Sequence, residues 1–304
     1  MCGRFAASRG PEDLAGVFGV EQGDPTETVV PDWNVAPTKT VQVVLERPLK
    51  DAVSRRPVRQ LRHLKWGLVP SWATSPEGAA RMINARAETV QEKPSFRRAF
   101  AARRCIVPAD GYYEWMTEPD ERRLEVEGKK KRARKQPYFV TPADGSVMAF
   151  AGLYEFWRDP ALPGDHPQAW WATCTILTTE AETTPLAGQG PEQGAGPDAG
   201  PAEAGPAEAG PAEAGPEQPA RTGADGPRSL AAIHPRMPLI LTPDRWDDWL
   251  DPGHTDPARL APLLEPPPPG LVRAYPVSTA VSNVRNNGPE LLTALEAPEE
   301  GTLF

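Results

Sequence analysis

Cysteine is scarce in this 304-residue sequence: there are three, Cys2, Cys105 and Cys174, alongside four histidines. They are widely spaced and odd in number, with no CxxC pair and no metal-ligand spacing. That argues against a disulfide framework and against a metal or cofactor, so none is expected. No run of about 18 apolar residues occurs, the length needed to cross a bilayer as a helix. No charged-then-apolar leader precedes the globular sequence. The expected location is cytoplasmic and reducing, which keeps Cys2 a thiol. Excess positive charge is also missing: the formal net charge is −8, which on its own argues against a nucleic-acid partner. The average misleads, because residues 181–229 carry eight acids and only two bases. Elsewhere arginines cluster at 97–104 and Lys/Arg at 129–135, so the local distribution must decide the partner.

The first five residues, Met1-Cys2-Gly3-Arg4-Phe5, carry the strongest chemistry. Removal of Met1 would leave Cys2 with a free α-amine and a thiol on adjacent carbons. Their ordinary pKa values, about 7.7–8.0 and about 8.5, put both near their nucleophilic forms at neutral pH. Such a residue can condense with an aldehyde to an imine and close a thiazolidine ring. It can also attack an acyl carbon with its own amine as base. The plain alternative is a frayed terminus without a role.

Along the chain, Pro11–Gly19 reads as a short helix and Trp33–Thr38 as an irregular turn. Val41–Leu45 is a strand, residues 46–60 an Arg-rich connection, and Leu64–Val69 another strand. Met82–Thr89 places Asn84, Arg86 and Glu88 two apart, on one face of a strand. A basic helix is expected over Ser95–Ala102. Strands follow over Arg104–Pro108, from Gly111, and over Tyr138–Thr141 and Val147–Trp157, the last two around an Asp144-Gly145 hairpin signal. Residues 117–136 read as a charged loop. Ala172–Thr179, Leu239–Thr242 and Val272–Val277 complete the strands, with a Pro-started helix over Pro243–Leu250. Gly-Pro-Ala-Glu-Ala repeats three times from Gly200 to Ala214, and 181–229 reads as a disordered insertion. The expected architecture is α+β and mostly β, one domain over 1–297 with a loose tail at 298–304.

Cys2, Asn84, Glu114 and His234 each lie in a short polar-aromatic segment between strands. Singly, each has a structural explanation: Asn84 in a turn, Glu114 on a solvent-facing strand, His234 capping a loop. Sequence alone does not bring them together.

Seven segments add a resemblance. They are Met1–Phe5, Trp33–Pro37, Trp66–Trp72, Ile83–Glu88, Asp110–Trp115, Ile233–Pro238 and Asn283–Asn286. In order, they resemble the motifs of the SOS-response-associated peptidase family, whose members are abasic-site processing proteins. The resemblance implies a barrel-like β core with short peripheral helices and a positively charged groove for single-stranded DNA. It implies that Cys2 bonds covalently to the ring-opened aldehyde of an abasic site, with Asn84, Glu114 and His234 as its catalytic partners. Arg4 and Arg86 would grip phosphates, while Asn34, Pro37, Trp72, Thr178 and Arg236 would line the DNA path. The implied partner is single-stranded DNA with abasic sites, with the replication machinery a further one and nucleoid association when bound. Two alternatives stay open: a thiol peptidase using Cys2 as N-terminal nucleophile, and a non-covalent single-stranded DNA-binding module.

Overall fold

The computed structural model describes residues 2–23, 30–49, 56–117, 135–186 and 227–295. Its strands are β1 (Phe5–Ala7), β2 (Asp32–Val35), β3 (Thr40–Pro48), β4 (Pro57–Trp66), β5 (Asn84–Arg86), β6 (Arg104–Ala109), β7 (Gly111–Thr117), β8 (Lys135–Pro142), β9 (Met148–Arg158), β10 (Trp170–Glu180), β11 (Arg236–Pro238) and β12 (Val272–Pro276). The helices are short: α1 (Pro11–Phe18), α2 (Arg97–Ala102), α3 (Leu230–Ile233), α4 (Trp246–Leu250) and α5 (Pro257–Leu260). The chain is therefore mostly β.

Strands β10, β4, β3, β6 and β9 pair in that order, and β9 pairs back with β10 to close a five-stranded barrel. All contacts around it are antiparallel except β4–β10. Closure removes the exposed edges that a flat sheet would leave. Alternation along each strand sends Val43, Leu45, Leu64, Trp66, Cys105, Val107, Tyr154, Cys174 and Ile176 into one core. The opposite faces, with Val44, Leu61, Ile106 and Leu153, pack against Phe18, Phe100, Trp249 and Leu260 of the helices. Each fully buried large side chain contributes roughly 1.5–3 kcal/mol.

A second sheet, ordered β12-β8-β7-β1-β2, lies against the first core through Tyr112, Met116, Tyr138 and Val140. Gly111 is needed where β7 begins, because a Cβ there would stand 2.4 Å from the Val140 carbonyl. Gly67 ends β4 at φ 131°, with Ala79 O 2.7 Å from where a Cβ would sit. The chain leaves the barrel at that point, makes a loop, and rejoins the same edge of β10 as β5.

Several expectations change. Asp32–Val35 is a strand, because it covers the free edge of β1. Within 46–60, residues 46–48 and 57–60 are sheet: β3 and β4 pair from Thr40–Lys65 out to Pro48–Pro57. Their charges hid this, since Arg59 and Glu46 are cross-strand partners at 2.6 Å while Val58 and Leu61 are buried. The Asp144-Gly145 turn is not a hairpin. Gly145 has φ 74°, yet β8 pairs with β7 and β12, and β9 with β6 and β10. A local turn signal does not specify which sheet the next strand joins. Leu239–Thr242 forms no strand, only a bridge from Ile240 to Phe150. Glu88 lies in a one-turn 3-10 helix after β5, not on the strand.

The insertion is shorter at both ends than 181–229. Ala181 and Leu186 are buried, and Leu186 N–H donates to Arg228 O at 3.0 Å. Residues 187–226, the basic run at 129–134 and the tail from 296 lie outside the described residues.

Candidate active site

The site is built at the far end of β10. There Ile176–Thr178 pairs with β5 on one side, and Thr178–Glu180 pairs with β11 on the other. Asn84 and Arg86 therefore flank one edge of β10 and Arg236 the other. Trp66, fully buried, donates its indole N–H to Ile83 O at 2.9 Å and fixes the residue before Asn84.

Cys2 enters this end on the segment before β1. Phe5 anchors it edge-on to Trp66 and Phe150, with centroids 5.0 and 5.8 Å away. Cys2 itself is completely buried. Asn84 Nδ2 donates to the Cys2 carbonyl at 2.7 Å. Asn84 Oδ1 is buried and accepts no hydrogen bond from the described residues. The Cys2 thiol points to Arg4 O at 3.9 Å. Burial pushes its pKa far up, and the charge of Glu114 adds to that. The sulfur is thus a neutral thiol at neutral pH and needs a base before it can attack.

The carboxyl that acts on this thiol electrostatically, Glu114, lies on β7. Tyr112, Glu114 and Met116 share the face toward the Cys2 core, while Tyr113 and Trp115 face the opposite cluster. Glu114 is a buried carboxyl, not a solvent-facing one. Burial raises its pKa above the usual carboxylate value, with His234 opposing the rise. His234 Nδ1 is 4.0 Å from Glu114 Oε2. The same Nδ1 lies 3.0 Å from the Arg236 N–H and 3.1 Å from the Arg236 carbonyl. One backbone residue can thus serve the ring whether Nδ1 accepts or donates. The four candidates Cys2, Asn84, Glu114 and His234 come together.

The DNA-path candidates divide. Arg86 and Trp72 are exposed, Trp72 at 64%. Trp72 rides a loop held by Val69 N–H to Thr173 Oγ1 at 3.0 Å and by Trp157 Nε1 to Ala73 O at 2.7 Å. Pro37 is half-buried ahead of β3, beside Thr38 at φ 73°. Asn34 and Thr178 are not surface groups, at 0% and 1% exposed. Thr178 is enclosed because β10 is flanked there by β5 and β11. Asn34 accepts from Arg4 Nη1 at 2.7 Å and donates to the carbonyls of Val281, Asn283 and Asn286. It ties the N-terminal strand to the Asn283–Asn286 turn, which explains two of the sequence motifs structurally. Arg4 also donates to Val281 O and stacks on Trp115. Arg236 makes a two-point ion pair with Glu88 and bonds Thr178 O at 2.6 Å. The resemblance assigns Arg4 and Arg236 to DNA contact, but both guanidiniums are already engaged within the protein.

Two contributors were missed. Glu88 was named only for its spacing, yet it holds Arg236. Glu155, 3% exposed on β9, bonds Arg103 and interacts with Ser71 beside Trp72. Alternation of buried residues along β9 offered the only hint of it.

A barrel that buries Cys2 beside a held main-chain carbonyl, a carboxyl with raised pKa and a nearby imidazole gathers groups able to do nucleophilic and acid-base chemistry. Comparison with known proteins narrows this. The profile of the family described as SOS response associated peptidase (SRAP) matches residues 1–186 and 222–284, and the chain belongs to that family. The match breaks at 187–221, within the insertion expected from the sequence. The abasic site processing protein YoqW of Bacillus subtilis is 33% identical over 292 residues, covering 96% of this chain and 99% of that protein. The abasic site processing protein HMCES of Xenopus tropicalis is 26% identical, covering 97% and 78%. A crystal structure of a protein from Bacteroides thetaiotaomicron shares the fold, with TM-score 0.64 at 22% identity, covering 97% of this chain and all of that one.

Proposed function

We propose that this protein captures abasic sites in single-stranded DNA by forming a thiazolidine between Cys2 and the ring-opened sugar aldehyde. The observation that carries the reading is the Asn84–Cys2 contact at 2.7 Å beside a buried carboxyl. It is supported by relatives named as abasic site processing proteins.

With Met1 removed, the Cys2 amine attacks the aldehyde carbon to give a carbinolamine. Asn84 Oδ1, buried and without a donor among the described residues, is the acceptor that can orient that amine. Glu114, whose carboxyl burial shifts toward its protonated form, gives its proton to the departing hydroxyl, and water leaves as the protonated imine forms. Glu114, now a carboxylate, takes the thiol proton as Cys2 sulfur adds to the carbon of the protonated imine, whose nitrogen keeps its proton as the ring closes. The net change is aldehyde plus cysteine giving thiazolidine plus water. His234, 4.0 Å from Glu114, holds or returns the proton in reversal. Arg86 and Trp72, both exposed, supply phosphate and base contacts that do not read sequence.

The test is intact mass after mixing the protein with a single-stranded oligonucleotide bearing one abasic site. The expected product is protein lacking Met1 plus oligonucleotide minus one water. Absence of any adduct, with the amine shown free and the strand still bound, overturns the covalent reading and leaves a binding module.

A further inference from the structure

The barrel has a second opening. A cavity of about 690 Å³ lies where Leu45, Gln60, Arg62, Leu64, Phe156 and Ala172 meet, with Arg47 at its rim. These residues stand on the inward-facing positions of β3, β4, β9 and β10, the same faces that carry the barrel core. The opening is displaced from Cys2: Asn84, which bonds Cys2, pairs with Ile176, and Ala172 precedes Ile176 by four residues on β10, roughly 13 Å at 3.3 Å per residue.

Its chemistry is lopsided. The Arg62 guanidinium is fixed by Nε and Nη2 to Gln60 Oε1, at 3.0 and 2.8 Å. Gln60 is 1% exposed, and its own Nε2 donates to Arg47 O at 2.7 Å. One buried amide thus sets both the plane of Arg62 and the backbone that bears Arg47. Arg47 lies over the Phe156 ring, 4.9 Å from its centroid. Neither guanidinium has a carboxylate partner among the described residues. The nearby acids are already paired: Glu46 with Arg59, Glu155 with Arg103, Glu21 with Arg56. Two oriented cations without an anion, above a floor of Leu45, Leu64, Phe156 and Ala172, form a site for a charged head and an apolar body. The volume is in the range of small-molecule sites.

We infer that the open mouth of the barrel is a second binding site, separate from the Cys2 centre, for a small organic anion: a phosphate monoester or a carboxylate carrying a flat apolar body. The head group bonds the free N–H groups of Arg62 and Arg47, and the body lies against Phe156 and Ala172. The inference does not depend on the abasic-site reading, since it uses none of the same residues.

The test is titration of the full chain, followed by calorimetry, with four probes: thymidine 5′-monophosphate, indole-3-acetate, inorganic phosphate and uncharged thymidine. At least one of the two organic anions should bind at least tenfold more tightly than either phosphate or thymidine alone. Which of the two is tighter identifies the head group. Arg62→Gln and Arg47→Gln should each weaken it about tenfold or more, the scale of a lost charge-assisted hydrogen bond. Ala172→Leu should weaken it too by filling the cavity without changing charge, which covers the case that an arginine variant fails to fold. All three should form the Cys2 adduct at the unmodified yield. The proposal is overturned if neither organic anion shows saturable binding at millimolar concentration. It is also overturned if binding survives all three variants, or is lost instead in Arg86→Gln, which would place it on the proposed DNA face.

Discussion

The two ends of β10 are built by opposite rules. At the Cys2 end, polar groups are engaged before any substrate arrives: Arg4 by Asn34, Arg236 by Glu88 and Thr178, the Cys2 carbonyl by Asn84. At the other end, Arg47 and Arg62 are oriented but meet no carboxylate among the described residues. The first arrangement suits a covalent reaction, where geometry must be set in advance and the bond itself supplies affinity. The second suits reversible binding, where the ligand supplies the missing charge. Charged residues near a site are therefore a poor guide to what contacts a ligand; what matters is whether their donors are already committed.

The contrast can be broken most completely at the nucleophile. Cys2→Ser should abolish the adduct in intact mass while leaving non-covalent strand binding in place. Glu114→Gln should slow adduct formation by about 10²–10⁴-fold, the usual worth of a positioned acid-base group. Burial raises the Glu114 pKa above its unfolded value. The acid form that expels water is therefore lost as pH rises through that raised pKa, and the variant should lose the falling limb of the pH-rate profile. Stability follows the same sign. The buried carboxyl costs nothing below its unfolded pKa and weakens the fold as pH rises through the folded one. Glu114→Gln should therefore melt higher than the parent at pH 8 and alike at pH 4.

Asn34→Ala sharpens the comparison by removing a group that acts wholly inside the protein. It strips partners from Arg4 and from three carbonyls, and should lower stability by about 1–3 kcal/mol in urea unfolding. Its effect on strand affinity should be indirect. Arg86→Gln should give the smallest change. Strand affinity should fall a few-fold irrespective of sequence, and the dependence of log K on log salt should lose about one phosphate contact, roughly 0.7 for a single strand. A loss confined to particular base sequences would place Arg86 on bases rather than phosphates.

Much of the layout was legible in the sequence. The α1 bounds followed from Pro11 and Gly19, and most barrel strands from β-branched runs. The convergence of Cys2, Asn84, Glu114 and His234 was not readable from spacing, because β4, β5, β10 and β11 meet only through non-local pairing. The β3–β4 hairpin was obscured because charged side chains fill its solvent face. The Asp144-Gly145 turn misled because turn chemistry is local and sheet membership is not. Asn34 was expected on the DNA path because the family resemblance put it there. Only its hydrogen bonds to residues about 250 positions away show that it is a clamp.

Those long separations also impose an order in time. Cys2 leaves the ribosome first, but Asn84 follows it by 82 residues, and Val281, which holds Arg4, comes 277 residues after Arg4. At about 5–20 residues per second, completing the chain from Cys2 to His234 takes roughly 10–50 s. During that interval Cys2 is an ordinary exposed cysteine, without its buried carboxyl, its imidazole or its enclosing barrel. A nascent chain that meets an aldehyde in that window can be spent before it is folded, so the yield of competent protein should depend on the aldehyde load of the cell while it is being made.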